Sequence, residues 1–167
     1  FVGNHYTAFG TALHEVCEIK TMQPDFNNEE AHFESAFLRE LQSLPRDVLD
    51  GIKLTDVNKM REQGKILSKL AVPYLSSHFG DFEVVSTEED IYESIENFED
   101  YNFKGFIDLV IKTVDGKFHV IDWKTCSWGW NSQKKSDPMT TYQLTYYKNF
   151  FHKKHGIPLE QIETHFA

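Results

Sequence analysis

Cysteine is nearly absent: Cys17 and Cys126 are the only two in 167 residues. Two thiols exclude a disulfide framework and any four-cysteine zinc or iron–sulfur site, and a reducing, intracellular setting is expected. No apolar run approaches the roughly 18 residues that a membrane span needs, so no membrane association is expected. Internal repeats and low-complexity tracts are lacking, which excludes solenoids and fibrous arrays. No signal peptide is visible. The chain opens on Phe1 rather than Met and is expected to be a trimmed piece of a longer one. Positive charge is also scarce, with 17 Lys+Arg against 26 Asp+Glu and a net charge of −9. The shortage is uneven: residues 1–100 balance at −12 and residues 101–167 at +3. A polyanion is repelled by the first part and tolerated by the second, which argues against a simple nucleic-acid coat protein.

What the chain has is apolar and aromatic material. Hydrophobic residues make up 40 % and aromatics 14 %, with 14 phenylalanines, so a core can be buried and wholesale disorder is excluded. Helical spacing runs from Thr7 or Gly10 to about Met22, through Phe9, Leu13, Val16 and Cys17. A second helix is expected over 29–44, with Phe33, Phe37, Leu38 and Leu41 on one side and Pro45 ending it. A third starts at a Thr55 or Asp56 cap, runs through Ile66, Leu67 and Leu70 to Tyr74 or beyond, and exits at Gly80. The pattern then turns to strands over 82–95, with a break at Glu88-Glu89-Asp90, then over 103–113 and 117–125. A polar loop over 128–137 precedes a helix from Pro138 or Thr140 to His155, closed by Gly156. Residues 162–166 read as a final strand. The expected fold is α+β: a mixed central sheet flanked by helices, in one domain over 1–167, with 1–80 mainly helical and 81–167 the sheet core.

Asp108 and Asp122 interrupt two strands that are otherwise apolar. A buried carboxylate costs several kcal/mol unless something pairs with it. Lys124 stands two residues after Asp122 and shares its face. The turn decides where Asp108 goes. A two-residue Asp115-Gly116 turn pairs Val114 with Lys117 and sets Asp108 opposite Trp123. A three-residue loop, Val114-Asp115-Gly116 with Gly116 in the left-handed region, pairs Thr113 with Lys117 and sets Asp108 opposite Asp122. The three-residue loop is the expectation. Two carboxylates and an ammonium then converge. With a backbone carbonyl they make a hard-oxygen site for Mg²⁺ or Mn²⁺, chemistry suited to activating water on a phosphoryl group. The plainer alternative is a structural Asp–Lys ion pair beside a second, hydrogen-bonded Asp.

Gly105-Phe106-Ile107-Asp108 followed by Asp122-Trp123-Lys124-Thr125 resembles the core motif of the PD-(D/E)XK nucleases. Two flanking blocks resemble the RecB-like exonuclease branch of that superfamily, phage and mitochondrial types included: Gly10-Thr11-Ala12-Leu13-His14-Glu15, and Gln143-Leu144-Thr145-Tyr146-Tyr147. The four blocks stand in the family's order. The resemblance implies a restriction-endonuclease-like core with an N-terminal helical segment. It implies His14, Asp108, Asp122 and the Trp123 carbonyl as metal ligands, and Lys124 as the catalytic lysine beside Asp108 and Asp122. Gln143 and Tyr147, on one helix face, are implied to contact DNA or steer Lys124. The family's usual Pro is Ile107 here, and the iron–sulfur cysteines of some members are absent, so no cluster is implied. The implied activity is Mg²⁺- or Mn²⁺-dependent hydrolysis of DNA, by an exonuclease acting on single strands or ends. Alternatives are a structure-specific endonuclease with the same centre, or an idle module that binds DNA or protein. A helicase or another replication or recombination protein is an implied partner.

Several residues remain open between roles. His14-Glu15-Val16-Cys17-Glu18 lacks the second His that a zinc-protease helix needs, which rejects that class. Glu18 shares the His14 face and reads as a solvated helix residue. Trp128 and Trp130, with Lys134 and Lys135, either stack bases and hold phosphates or pack and solvate the loop. The acidic stretch from Glu88 to Asp100 reads as mostly solvated. Tyr146, Phe150 and Phe151 are expected in the core, and Cys126 as a small packing residue.

Overall fold

A computed structural model describes residues 3–95, 98–125 and 138–167. The chain divides into two compact units, residues 1–78 and 79–167. None of the described helices is long and apolar enough to cross a membrane.

The first unit is helical: α1 (His5–Met22), α2 (Glu29–Gln42), a short α3 (Arg46–Asp50) and most of α4 (Leu54–Phe79). α1 begins earlier than its apolar spacing predicts because Asn4 caps it. The Asn4 side chain accepts from the Tyr6 and Thr7 amides, and the Thr7 hydroxyl oxygen accepts from the Asn4 amide. α1 buries Phe9, Leu13, Val16 and Cys17, and α2 buries Phe33, Phe37 and Leu41. Phe9 meets Phe33 and Phe37 edge-on at 5.3 and 5.8 Å. Leu38, expected on the same side, turns outward at 45 % exposure. α3 was not expected. Pro45 does not merely end α2: it stands as the N-cap of α3, where its fixed φ suits the entry to a helix.

The second unit is a four-stranded sheet in the order β1 (Phe82–Ile95), β2 (Phe98–Thr113), β3 (Phe118–Asp122) and β4 (Ile162–Phe166). β1–β2 and β2–β3 are antiparallel, and β3–β4 is parallel. A parallel pair needs a crossover, and α5 (Pro138–His155) lies on it. Tyr147 and Phe151 of α5 pack with Ile91, Ile107, Val110, Val120 and Ile162 into one apolar cluster. The sheet is therefore mixed and helix-covered, the α+β arrangement expected of a restriction-endonuclease-like core.

β1 corrects one expectation. Instead of breaking at Glu88-Glu89-Asp90 it runs on, absorbing a register shift between Val84 and Ser86 and a positive φ of 47° at Glu88. Within the acidic stretch Glu88, Asp90 and Asp100 are exposed, as expected, while Glu89 and Glu93 are drawn in. Glu89, with its side chain 9 % exposed, lies 3.0 Å from Lys154 Nζ and also meets His155 and the Ser86 hydroxyl. Lys153 lies 3.7 Å from Glu93. The basic last turn of α5 is thus tied to the acidic strand. Tyr146 is 49 % exposed rather than core, while Phe151 is fully buried.

Candidate active site

The β2–β3 connection is the three-residue loop. Thr113 N–H donates to Lys117 O at 3.0 Å and Gly116 N–H to Thr113 O at 2.9 Å, and Gly116 takes φ +86°. Only glycine holds that conformation at little cost, so the residue type fixes the loop. The register Leu109↔Ile121 and Val110↔Val120, carried one pair further, sets Asp108 across from Asp122.

The two carboxylates are held differently. Asp108 Oδ2 accepts from the Trp123 amide at 2.7 Å. Asp122 is 2 % exposed; its Oδ2 lies 2.6 Å from Lys124 Nζ, and its Oδ1 accepts from Gln143 Nε2 at 3.0 Å. Gln143 Nε2 also donates to the Tyr147 hydroxyl at 2.9 Å. Tyr147 is buried, and Gly105 makes the room: a Cβ there would stand 3.0 Å from Tyr147 Cε1 and 2.9 Å from Phe103 Cε1. On its other edge, β3 is pinned by β4. Ala167 N–H donates to Asp122 O at 3.0 Å and Lys124 N–H to Ala167 O at 2.8 Å. With residues 122 and 124 bonded to that side, strand alternation turns the Trp123 amide and carbonyl toward Asp108.

The electrostatics follow from this crowding. Burial, and then the Asp122 charge, push Asp108 up to about 6. Tyr147 is raised above its ordinary value, first by burial and further by the Asp122, Asp108 and Glu88 carboxylates, against a lowering hydrogen bond from Gln143. Two opposed carboxylates with one of them pushed up form a site in which a divalent cation relieves a real repulsion. The donors are hard oxygens, and they fit Mg²⁺ or Mn²⁺.

A family model of the PD-(D/E)XK nuclease superfamily matches residues 3–163. The chain belongs to that superfamily. No curated protein matches it.

In this nuclease the structure brings Asp108, Asp122, Lys124, Trp123, Gln143 and Tyr147 into one cluster on the second unit. His14 lies half-buried on α1 of the first unit. Trp128, Trp130, Lys134, Lys135 and Cys126 lie outside the described residues. Sequence reasoning missed Phe166, which pairs with Asp122 in register and whose ring lies 5.9 Å from Lys124 Nζ. It also missed the hydrogen bond from Gln143 to Asp122. The i, i+4 spacing of Gln143 and Tyr147 was its one legible trace.

Proposed function

We propose that this nuclease hydrolyses DNA phosphodiesters with Mg²⁺ or Mn²⁺, as an exonuclease acting on single strands or DNA ends. The observation that carries the reading is Asp108 opposite Asp122, with the Lys124 ammonium 2.6 Å from Asp122. Asp108, Asp122 and the Trp123 carbonyl would hold the ion, and His14 joins them on the strength of its sequence block alone. The bound ion supplies Lewis acidity, lowering the pKa of a water and polarising a phosphoryl oxygen. Lys124, half-exposed, donates hydrogen bonds to the attacking water and to charge developing on the phosphate. Gln143 fixes the rotamer of Asp122, and buried Tyr147 fixes Gln143; both are positioning residues. The preference for ends and single strands rests on the resemblance of the His14 and Gln143 blocks to the RecB-like branch. The residues of the cluster are all retained, which favours an enzyme over an idle binding module.

The test is incubation with end-labelled single- and double-stranded DNA in Mg²⁺, Mn²⁺ or EDTA, alongside Asp122→Ala, Lys124→Ala and His14→Ala. The expected result is metal-dependent cleavage, reduced by about 100-fold or more in the Asp122 and Lys124 variants, the scale of losing a charge-stabilising group. Release of mononucleotides or short products from an end supports the exonuclease. Cleavage insensitive to EDTA or to both variants sinks the assignment.

A further inference from the structure

The opposite face of the same sheet carries a second group of metal-type side chains. His119 stands on β3 three residues before Asp122, so strand alternation turns it to the other face. Its partner across the parallel pair is Glu163, and Ile121 pairs with His165, so His119, Glu163 and His165 share that face. One ligand atom from each lies within 4.8 Å of the other two. His119 Nδ1 is 3.0 Å from His165 Nε2 and 3.8 Å from Glu163 Oε2. A tetrahedral zinc ion with bonds of about 2.0–2.1 Å sets its ligand atoms about 3.3 Å apart, between those two values. We propose that His119, Glu163 and His165 form a zinc-class metal site on the sheet face opposite Asp108, Asp122 and Lys124.

The surroundings prepare these side chains for that role. The Thr113 hydroxyl has one proton, and it goes to Asp115 Oδ1 or to Lys117 O. The Thr113 oxygen is then left to accept from His119 Nε2, 3.1 Å away. That bond places a proton on Nε2, so the neutral imidazole, the form that binds metal, has its lone pair on Nδ1, the atom aimed at His165 and Glu163. Lys117 binds the other carboxylate oxygen of Glu163, Oε1, leaving Oε2 toward the imidazoles. The Phe79 ring packs 4.8 Å from the His119 ring and 5.1 Å from the His165 ring, so it walls one side. Glu163 and His165 are half-exposed, which leaves water to complete the shell. Two imidazoles and one carboxylate suit zinc and its neighbours, not Mg²⁺, so the two faces take different metals. The ligands come from both strands of the β3–β4 pair. A bound ion therefore ties β4 to the strand whose next residues are Asp122 and Lys124.

The experiment is calorimetric titration of the metal-free protein with Zn²⁺ under excess Mg²⁺, with Co²⁺ as the spectroscopic probe. It is run in the wild type and in an Asp108→Asn/Asp122→Asn background that disables the other centre. The proposal expects one Zn²⁺ per chain in both, the visible bands of tetrahedral Co²⁺, and a raised melting temperature. Thr113→Val, which frees the His119 tautomer, should weaken binding about tenfold, the scale of an outer-shell hydrogen bond. His165→Ala and Glu163→Gln, both at half-exposed positions, should weaken it at least as much and abolish the Co²⁺ bands, with circular dichroism unchanged. Failure of the wild type to bind Zn²⁺, or binding as tight in both His165→Ala and Glu163→Gln, overturns the proposal.

Discussion

Asp108 is the residue whose environment has the clearest measurable consequence. Its carboxyl is pushed up to about 6, so the folded protein holds a proton that the unfolded chain, near the ordinary value of 3.8, releases. The folded state binds more protons between those values, so this group's contribution to stability is fully present below pH 4. It is lost as pH rises through 6, by roughly 1–3 kcal/mol in all. In EDTA, urea melts of the wild type and Asp108→Asn at pH 5 and pH 7 should therefore differ. The substitution should remove a wild-type preference for pH 5, and a flat difference between the two pH values would refute the perturbed carboxyl. The same proton competes with Mg²⁺, so metal affinity should fall as pH drops below 6. The placement of this residue was legible in the sequence because one glycine decided the loop. The hydrogen bond of Gln143 to Asp122 was not, because it depends on how α5 is rotated over the sheet, which no spacing within the helix records.

At the scale of elements, the tie between β1 and α5 is the feature to measure. Glu89 is nearly buried and meets Ser86, Lys154 and His155, whereas the Lys69–Glu30 pair of the first unit is exposed at 57 % and 49 %. Glu89→Ala removes the carboxylate shared by Ser86, Lys154 and His155 and should cost about 2 kcal/mol, while Glu30→Ala should cost less than about 1 kcal/mol. Chemical denaturation of both variants tests this, and equal effects would count against the clamp. The elements themselves were largely readable, since apolar periodicity located α1, α2, α4 and α5 and marked β4 at its observed bounds. What was not readable were features set by a partner strand. The shift at Val85 in β1 and the parallel register that sets Phe166 beside Asp122 both depend on the neighbour across the ladder.

For the whole molecule, charge sets how nucleic acid is met. With −12 over residues 1–100 and +3 over residues 101–167, few phosphates can be neutralised by side chains. Binding of single-stranded DNA to the Asp122→Asn variant should weaken only shallowly with salt. Its log–log slope should be about −2 to −3, the release expected for three or four phosphates. Fluorescence anisotropy across a salt series gives the slope, and a value steeper than about −5 would point to a broad basic track instead.

The loop of Val114, Asp115 and Gly116 acts like a reading frame for the hairpin. What it fixes is where the strands close, not how many residues lie between them. Removing Val114 would leave Asp115-Gly116 as a two-residue turn still closed by Thr113 and Lys117, and Asp108 would stay opposite Asp122. Moving the closing pair to Val114 and Lys117 at unchanged length would set Asp108 opposite Trp123 instead. In this chain a substitution at Gly116 that favours the tighter turn would therefore dismantle the carboxylate pair with no ligand altered in identity.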